Sequence, residues 1–205
     1  MAIWLLLLVL LLAAVVLLAQ QRIRQLRRGA RADLPDARTL FTLRQGDIVQ
    51  FEGQDWVVED RLLYDDEGFQ WLEYLLLDGR QRRWLSVVED DWLELAWLEP
   101  APEALLNAVP LQDRRFPAEI RWEGVTYALR ESGRASMTAS ARTMNLRPGG
   151  CRYGDYTAEG DRVLAVELWD GSGSSAHGDV DISLGRRIDP GLVSFLPGDG
   201  RSVYR

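Results

Sequence analysis

The stretch GDIVQFEGQDWVVEDRLLY, residues 46–64, carries the pattern on which the fold depends. Apolar and polar residues alternate on both sides of the pair Glu52-Gly53, with Phe51 directly before it and Trp56 shortly after it. A period of two is typical of a strand with one buried face, and a short turn between two such runs indicates a hairpin. The stretch therefore predicts two antiparallel strands that meet at Glu52-Gly53.

Two further runs continue this pattern, FQWLEYLLLDG at 69–79 and RRWLSVVED at 82–90. They are separated by turn residues, and each is rich in the aromatic and β-branched side chains that favour strands. Beyond the N-terminal segment, helical signal is confined to a short turn in PEALLNAV, residues 102–109. We therefore predict an all-β fold of antiparallel strands.

The chain also repeats itself. Adding 71 to each position superposes VQFEGQDWVVED, residues 49–60, on IRWEGVTYALRE, residues 120–131, without a gap. A looser match follows between LEYLLLDG at 72–79 and LAVELWDG at 164–171. Each half alone is small for an independent core, so we predict one duplicated domain of two related meander-like or barrel-like halves.

These patterns divide the chain into six segments. They are a transmembrane helix at 1–20, a basic stem and linker at 21–41, a first β-rich half at 42–100, a linker at 101–115, a second β-rich half at 116–197 and a tail at 198–205.

The N-terminal segment predicts a membrane anchor. Residues 2–19 are all apolar, which as a helix gives about 27 Å and is enough to cross the bilayer core. A cleaved signal peptide is disfavoured because the positive charges follow the apolar run instead of preceding it. Five arginines that we expect to lie at the membrane surface follow it, and they place the rest of the chain on the cytoplasmic side: Arg22, Arg24, Arg27, Arg28 and Arg31.

The charge balance separates the stem from the domain. Of the 24 basic residues, five lie in residues 1–31, so the remaining 19 face all 31 acids and give residues 32–205 a formal charge of −12. Nucleic-acid binding needs a basic stripe, so this domain is not expected to bind nucleic acid. A strongly acidic domain instead attracts cations.

The sequence resembles a known bacterial family, the domain of unknown function numbered 4178. The resemblance rests on LRQGDIVQFEGQDWVVEDRLLYDDEGFQWLEYLLLDG, RRWLSVVEDD, GDYTAEGDRVLAVELWDG and DISLGRRIDP, and it covers about residues 42–197. It implies a β-rich module of related halves that is often membrane-associated and often encoded near envelope-stress proteins. It implies no activity and no catalytic residues.

No recognisable catalytic or metal-binding constellation is present. The chain has one cysteine, Cys151, and one histidine, His177, so a zinc site of cysteine and histidine ligands cannot be assembled. Nucleophile and phosphate-binding motifs are absent from the sequence. We interpret the acid clusters 65–67 and 89–91 as hairpin turns rather than cation sites. We therefore predict a protein that is not an enzyme, with no cofactor and no metal.

Three residues are candidates for contact with a partner or ligand. Glu73 lies inside the apolar strand WLEYLLL, where a carboxylate needs a partner or takes a raised pKa. We expect an arginine partner, with Arg82, Arg83 and Arg130 as candidates. Trp92 and Trp97 are separated by an odd number of residues, so on one strand they face opposite sides and at least one is expected to be exposed.

Two functions remain open on this basis. The first is a membrane-anchored module that binds a protein partner through exposed tryptophans, in an envelope-stress or other membrane-associated system. The second is a binder of a small cationic ligand such as a polyamine. Acids gathered around a pocket would favour the second, and a flat tryptophan patch with scattered acids would favour the first.

Overall fold

Alternating apolar residues form strands throughout the part of the chain that the computed structural model describes, residues 37–111, 115–141, 148–170 and 180–198. The all-β prediction is confirmed. The elements are β1 Ile48–Phe51, β2 Gln54–Asp66, β3 Phe69–Asp78, β4 Gln81–Glu89, β5 Leu93–Pro100, α1 Glu103–Ala108, β6 Glu119–Trp122, β7 Val125–Ala139, β8 Gly149–Thr157, β9 Arg162–Trp169, β10 Val180–Ile188 and β11 Ser194–Leu196, with one 3-10 turn at Pro190–Leu192 before β11.

The two predicted Glu-Gly hairpins have the same turn geometry. Glu52 and Gly53 have φ angles of 51° and 76°, and Glu123 and Gly124 have φ angles of 48° and 77°. Positive φ at both central residues is the requirement of the two-residue turn whose twist matches that of the strands, and glycine meets it without strain. The turns join β1 to β2 and β6 to β7 as antiparallel pairs.

Eight of the strands close into a ring. Successive hydrogen-bonded neighbours run β2, β3, β4, β5, β10, β9, β8 and β7, and β7 pairs in turn with β2. Strands β1 and β11 extend the sheet beside β2, and β6 extends it beside β7. We call the short β2–β7 pairing, which joins residues 62–65 to 136–139, the seam.

The long strands β2 and β7 each contain a bulge where the sheet changes partner. The register of β2 against β3 shifts at Glu59, and the register of β7 against β8 shifts at Arg130. A bulge adds a residue to one strand and increases its local twist, so it bends the strand away from one neighbour and toward another. The two bulges, like the two turns, lie 71 residues apart in the sequence.

Buried side chains form three cores. The first outer core lies on the outer face of β1–β5 and includes Phe51, Trp56 and Tyr74. The second outer core lies on β8–β10, where Leu105 of α1 packs. The interior core occupies part of the inside of the ring and includes Tyr64 and Met137. Elsewhere on the inward face of the ring, polar residues interrupt the apolar pattern.

The structure agrees with the repeat at some positions and departs from it at others. Phe51, Trp56 and Tyr127 are buried, whereas Trp122 is half-buried against the second outer core. The looser match does not follow the strand order. LEYLLLDG lies on β3, the third strand counted from β1, whereas LAVELWDG lies on β9, the fourth strand counted from β6. In addition β11, placed by sequence in the second half, pairs with β1 of the first half.

The predicted membrane span at 2–19 and its arginines lie outside the described residues. Within residues 37–198, with the gaps given above, no helix has the length and apolar character needed to span a bilayer. The predicted helical turn at 102–109 corresponds to α1.

Candidate functional site

A cavity of about 240 Å³ occupies one part of the ring interior. Its walls come from β3, β4 and β5 on one side and β7, β8, β9 and β10 on the other. Seven of the lining residues are acidic, against two arginines, Arg130 and Arg187. The acids are Glu73, Asp90, Asp91, Glu94, Glu131, Asp155 and Glu167.

Two glutamates from opposite sides of the ring share one hydroxyl group. Glu73 on β3 and Glu167 on β9 both lie within hydrogen-bonding reach of the hydroxyl of Tyr64 on β2. We call Glu73 and Glu167 the acid pair. A hydroxyl has one proton, so Tyr64 can donate to one carboxylate and accept from the other only if that other is protonated.

Enclosure changes the ionisation of both members. Both side chains keep some accessible surface because they face the cavity, but protein surrounds them on the other sides. This burial, together with the charge of Asp155, raises the pKa of Glu73 to about 8, and the hydrogen bond to Tyr64 opposes the shift. Burial also raises the pKa of Glu167 well above its usual range, with a further contribution from Glu73. Removing water from a carboxylate disfavours its charged form.

Asp155 on β8 is a third inward-facing carboxylate. Burial and, to a smaller extent, the charge of Glu131 raise its pKa to about 6, and the charge of Arg130 opposes the shift. In the part of the chain that the structure describes, Asp155 makes no hydrogen bond or ion pair. Asp155 therefore lines the cavity without a hydrogen-bond or ion-pair partner among the described residues.

Aromatic rings form the wall next to these acids. Tyr64 stacks on Trp71 with ring centroids 4.9 Å apart and planes 6° apart, and Tyr153 meets the edge of Trp71 at 5.1 Å. The Tyr153 hydroxyl donates to the carboxylate of Asp66 at 2.9 Å, which fixes the ring. Faces of this kind attract cations and pack against methylene groups.

Glu94 holds the two arginines at the cavity. Arg130, placed here by the bulge of β7, donates two hydrogen bonds of 3.0 Å to Glu94, and the Nε of Arg187 lies 3.1 Å from the same carboxylate. Trp92 Nε1 donates to it at 2.8 Å. Arg130 is the largest cause that lowers the pKa of Glu94 to about 2. Glu94 is thus fully ionised and engages both arginines.

The structure separates the three predicted contact residues. Glu73 and Trp92 both line the cavity, and Trp92 is exposed to 64% at its open end. Trp97 instead packs in the first outer core, with its ring centroid 4.7 Å from that of Phe51 and 5.5 Å from that of Trp56. The pair thus faces opposite sides, and one member is exposed.

The prediction that an arginine pairs with Glu73 is wrong. Arg83 pairs with Glu99 at 3.0 Å and Arg130 with Glu94, and among the described residues Arg82 forms no ion pair with Glu73 either. The partner of Glu73 is the Tyr64 hydroxyl. The alternative expectation for Glu73, a raised pKa, agrees in direction with the effect of its burial.

Sequence reasoning missed Glu167, Asp155 and Tyr64. Glu167 lies in VLAVELW, a strand in which apolar residues flank an acid as they do around Glu73, so the same signal was available. Asp155 and Tyr64 carry no such signal, because only the ring brings β2 and β8 together on one interior.

The remaining candidates have structural roles or lie elsewhere. Asp65 accepts a hydrogen bond from the backbone of Gly68 at 3.0 Å, which is the predicted turn. Asp90 and Asp91 also lie in a turn, but they line the open end of the cavity. Cys151 is buried, and burial raises the pKa of its thiol, so it is unreactive. His177 lies outside the described residues.

Comparisons with known proteins identify the family. Residues 44–190 match the family described as a domain of unknown function, DUF4178, and the chain belongs to this family. The chain is 30% identical over 173 residues to an uncharacterised protein of Mycobacterium tuberculosis, covering 79% of this chain and 77% of that protein. An uncharacterised protein of Aquifex aeolicus is 24% identical over 136 residues, which cover 64% of this chain and 72% of that protein. No solved structure matches the chain.

Proposed function

We propose that the domain is a non-catalytic binding module that takes a small organic cation into the interior cavity. The observation that carries the proposal is the acid pair, which faces the cavity with a tyrosine hydroxyl as its hydrogen-bond partner and no arginine. An enclosed carboxylate is costly unless a positive charge compensates it. Among the described residues, Glu94 is the one cavity acid that forms ion pairs with arginines, so a ligand is the natural source of charge for the deeper acids.

The cavity suits an organic cation better than a metal ion. In the described ranges no group of three or more histidine, cysteine, aspartate or glutamate residues is arranged to hold a metal. Calcium needs six to eight oxygen ligands, and magnesium needs near-octahedral geometry. Aromatic faces beside the carboxylates add the attraction for an ammonium group that a hydrated metal ion would not use.

Two further elements of the proposal concern the architecture. The domain is a duplicated one, supported by turns and bulges that recur 71 residues apart. It is anchored through residues 2–19 and faces the cytoplasm, supported by the apolar run and the arginines that follow it.

Protein binding is a second candidate function, favoured by one observation. Trp92 and Phe69, exposed to 64% and 39%, both lie at the open end of the cavity. Exposed tryptophans often anchor partner proteins. An aromatic side chain or a cationic tail of a membrane-associated partner could engage the same opening.

Titration calorimetry on the full-length chain in a nonionic detergent tests the proposal. The ligands are putrescine, spermidine and choline, with butyrate as an anionic control and calcium and magnesium as metal controls. We expect at least one organic cation to bind and to retain binding at high salt, because enclosed charges are poorly screened. Glu73→Gln should weaken that binding roughly tenfold or more, since a charge-assisted hydrogen bond is lost.

The matched control is Asp78→Asn, which removes one negative charge from the exposed end of the same strand. It should leave binding unchanged. Equal losses of affinity in the two variants would contradict a specific role of Glu73 and show that only the overall negative charge attracts the ligand. Absence of binding by all three organic cations would overturn the proposal.

A further inference from the structure

We propose that the ligand is a short linear diamine, with one ammonium group at the acid pair and the other at Asp155. The inference rests on the proposed function and specifies its ligand class. It is carried by the placement of two acidic positions along one cavity, with aromatic rings in the wall beside the acid pair.

The register of β8 and β9 sets the distance between the two acidic positions. Glu167 pairs directly with Tyr153, and Asp155 is two residues further along β8 on the same face of the sheet. Such diagonal neighbours on an antiparallel pair lie about 7–8 Å apart. A short aliphatic chain with an amine at each end spans this distance, whereas a compact single cation cannot reach both positions.

The cavity wall beside these two positions includes an aromatic residue opposite Glu167 and an alanine, Ala165, opposite Asp155. Tyr153 lies beside Glu167 in the register and its ring meets Trp71 at 5.1 Å. The methylene groups of a diamine can pack against these rings while its ends reach the carboxylates. A neutral or acidic ligand of the same length would leave the acids uncompensated.

The arginines limit the length of the ligand. Arg130 is close enough to lower the pKa of Asp155, and together with Arg187 it is held at the cavity by Glu94. A third ammonium group beyond Asp155 would meet these guanidinium groups and be repelled. The cavity therefore favours a diamine over a longer tri- or tetra-amine.

A length series on the full-length chain tests the inference. Putrescine and cadaverine are compared with n-butylamine, which has one ammonium group on a matched chain, and with spermine, which has four. We expect a diamine to bind roughly tenfold or more tighter than n-butylamine, because it makes a second charge-assisted contact. Spermine should bind more weakly than the best diamine once salt has screened the general field.

The second part of the test uses the variant Asp155→Asn. A cooperative thermal unfolding transition of the variant shows that it folds. This change should reduce diamine affinity to the level of n-butylamine and leave n-butylamine affinity unchanged. If n-butylamine binds as tightly as the diamines, or Asp155→Asn weakens both equally, the diamine inference is overturned while cation binding stands. If no amine binds, the proposed function itself fails. Should Asp155→Asn not fold, the length series on the natural chain decides.

Discussion

Trp56 is a fully enclosed residue of the first outer core. It is 2% exposed, packs edge-on against Trp97 at 5.5 Å, and lies under the guanidinium of Arg83 at 5.4 Å. Its indole Nε1 has no hydrogen-bond partner among the described residues. Its contribution is therefore packing rather than hydrogen bonding.

We expect Trp56→Ala to lower the free energy of unfolding by about 3–5 kcal/mol, because it leaves a large cavity. Trp56→Phe should cost much less, since it keeps an aromatic ring and loses an N–H group that makes no bond. Trp122→Ala should cost less than Trp56→Ala because Trp122 is only half-buried. Urea denaturation measures all three, and equal losses for Trp56→Phe and Trp56→Ala would contradict the packing argument.

The acid pair makes stability depend on pH in a defined direction. The pKa of Glu73 is about 8 in the folded protein, against an ordinary value of 4.5. Between these values the folded state binds more protons than the unfolded state, so stability is greatest at low pH and falls as pH rises toward 8. The groups that face Glu73 are Tyr64 on β2, Ser86 on β4, Asp155 on β8 and Glu167 on β9.

We therefore expect the melting temperature of the ligand-free chain to fall between about pH 5 and pH 8, and to fall less in Glu73→Gln. Thermal melting across that range measures the effect, with Asp78→Asn as the control that should keep the natural slope. An unchanged slope in Glu73→Gln would mean that Glu73 ionises normally in the folded protein.

The sequence pattern identified one member of the acid pair, Glu73, but not the other. An acid inside an apolar strand marks Glu73, and the raised pKa follows from its burial. Its partner could not be predicted, because the sequence does not show that the candidate arginines Arg83 and Arg130 are engaged by Glu99 and Glu94.

At the scale of elements, one buried carboxylate fastens the seam. Asp60 is fully buried, and its Oδ1 accepts hydrogen bonds from the Ser140 hydroxyl at 3.0 Å and the Ala141 backbone at 2.8 Å. Both donors lie directly beyond β7, so Asp60 of β2 holds the end of that strand. The bulge at Glu59 orients this region of β2 toward β7.

Asp60→Ala should destabilise the protein by about 1–3 kcal/mol, since the hydroxyl of Ser140 and the backbone N–H of Ala141 lose a buried carboxylate acceptor. Asp55→Ala, on an exposed part of the same strand, should change stability by about 0.5 kcal/mol or less. Urea denaturation again provides the measurement. A small effect of Asp60→Ala would show that the strand pairing alone maintains the seam.

The strands themselves were predictable, and their closure was not. Alternation and Glu-Gly turns predicted β1 to β4 and both hairpins, because these depend on neighbouring residues. The seam and the β5–β10 pairing depend on contacts between distant residues, for which no local pattern exists. The cavity is a product of that closure and was therefore beyond sequence reasoning.

At the scale of the whole molecule, the membrane topology is open to direct test. We expect protease added to intact spheroplasts to leave the domain whole, and alkaline carbonate to leave it in the membrane fraction. The reason is the apolar run at 2–19 with arginines on its C-terminal side. Permeabilised spheroplasts provide the control in which the domain is digested. A processed form that begins near Gln20 would contradict the anchor.

The seam also determines the order in which events occur during folding. It joins residues more than 70 positions apart, such as Asp65 and Ser136, and the β1–β11 pairing joins Ile48 to Leu196. Chains dominated by such distant pairings fold slowly, and the binding cavity cannot exist before the ring has closed.

A ligand that requires the closed ring should therefore stabilise the native state without speeding its formation. In stopped-flow experiments we expect saturating diamine to slow unfolding and to leave the refolding rate unchanged. Faster refolding with the ligand would mean that its site forms before the seam does.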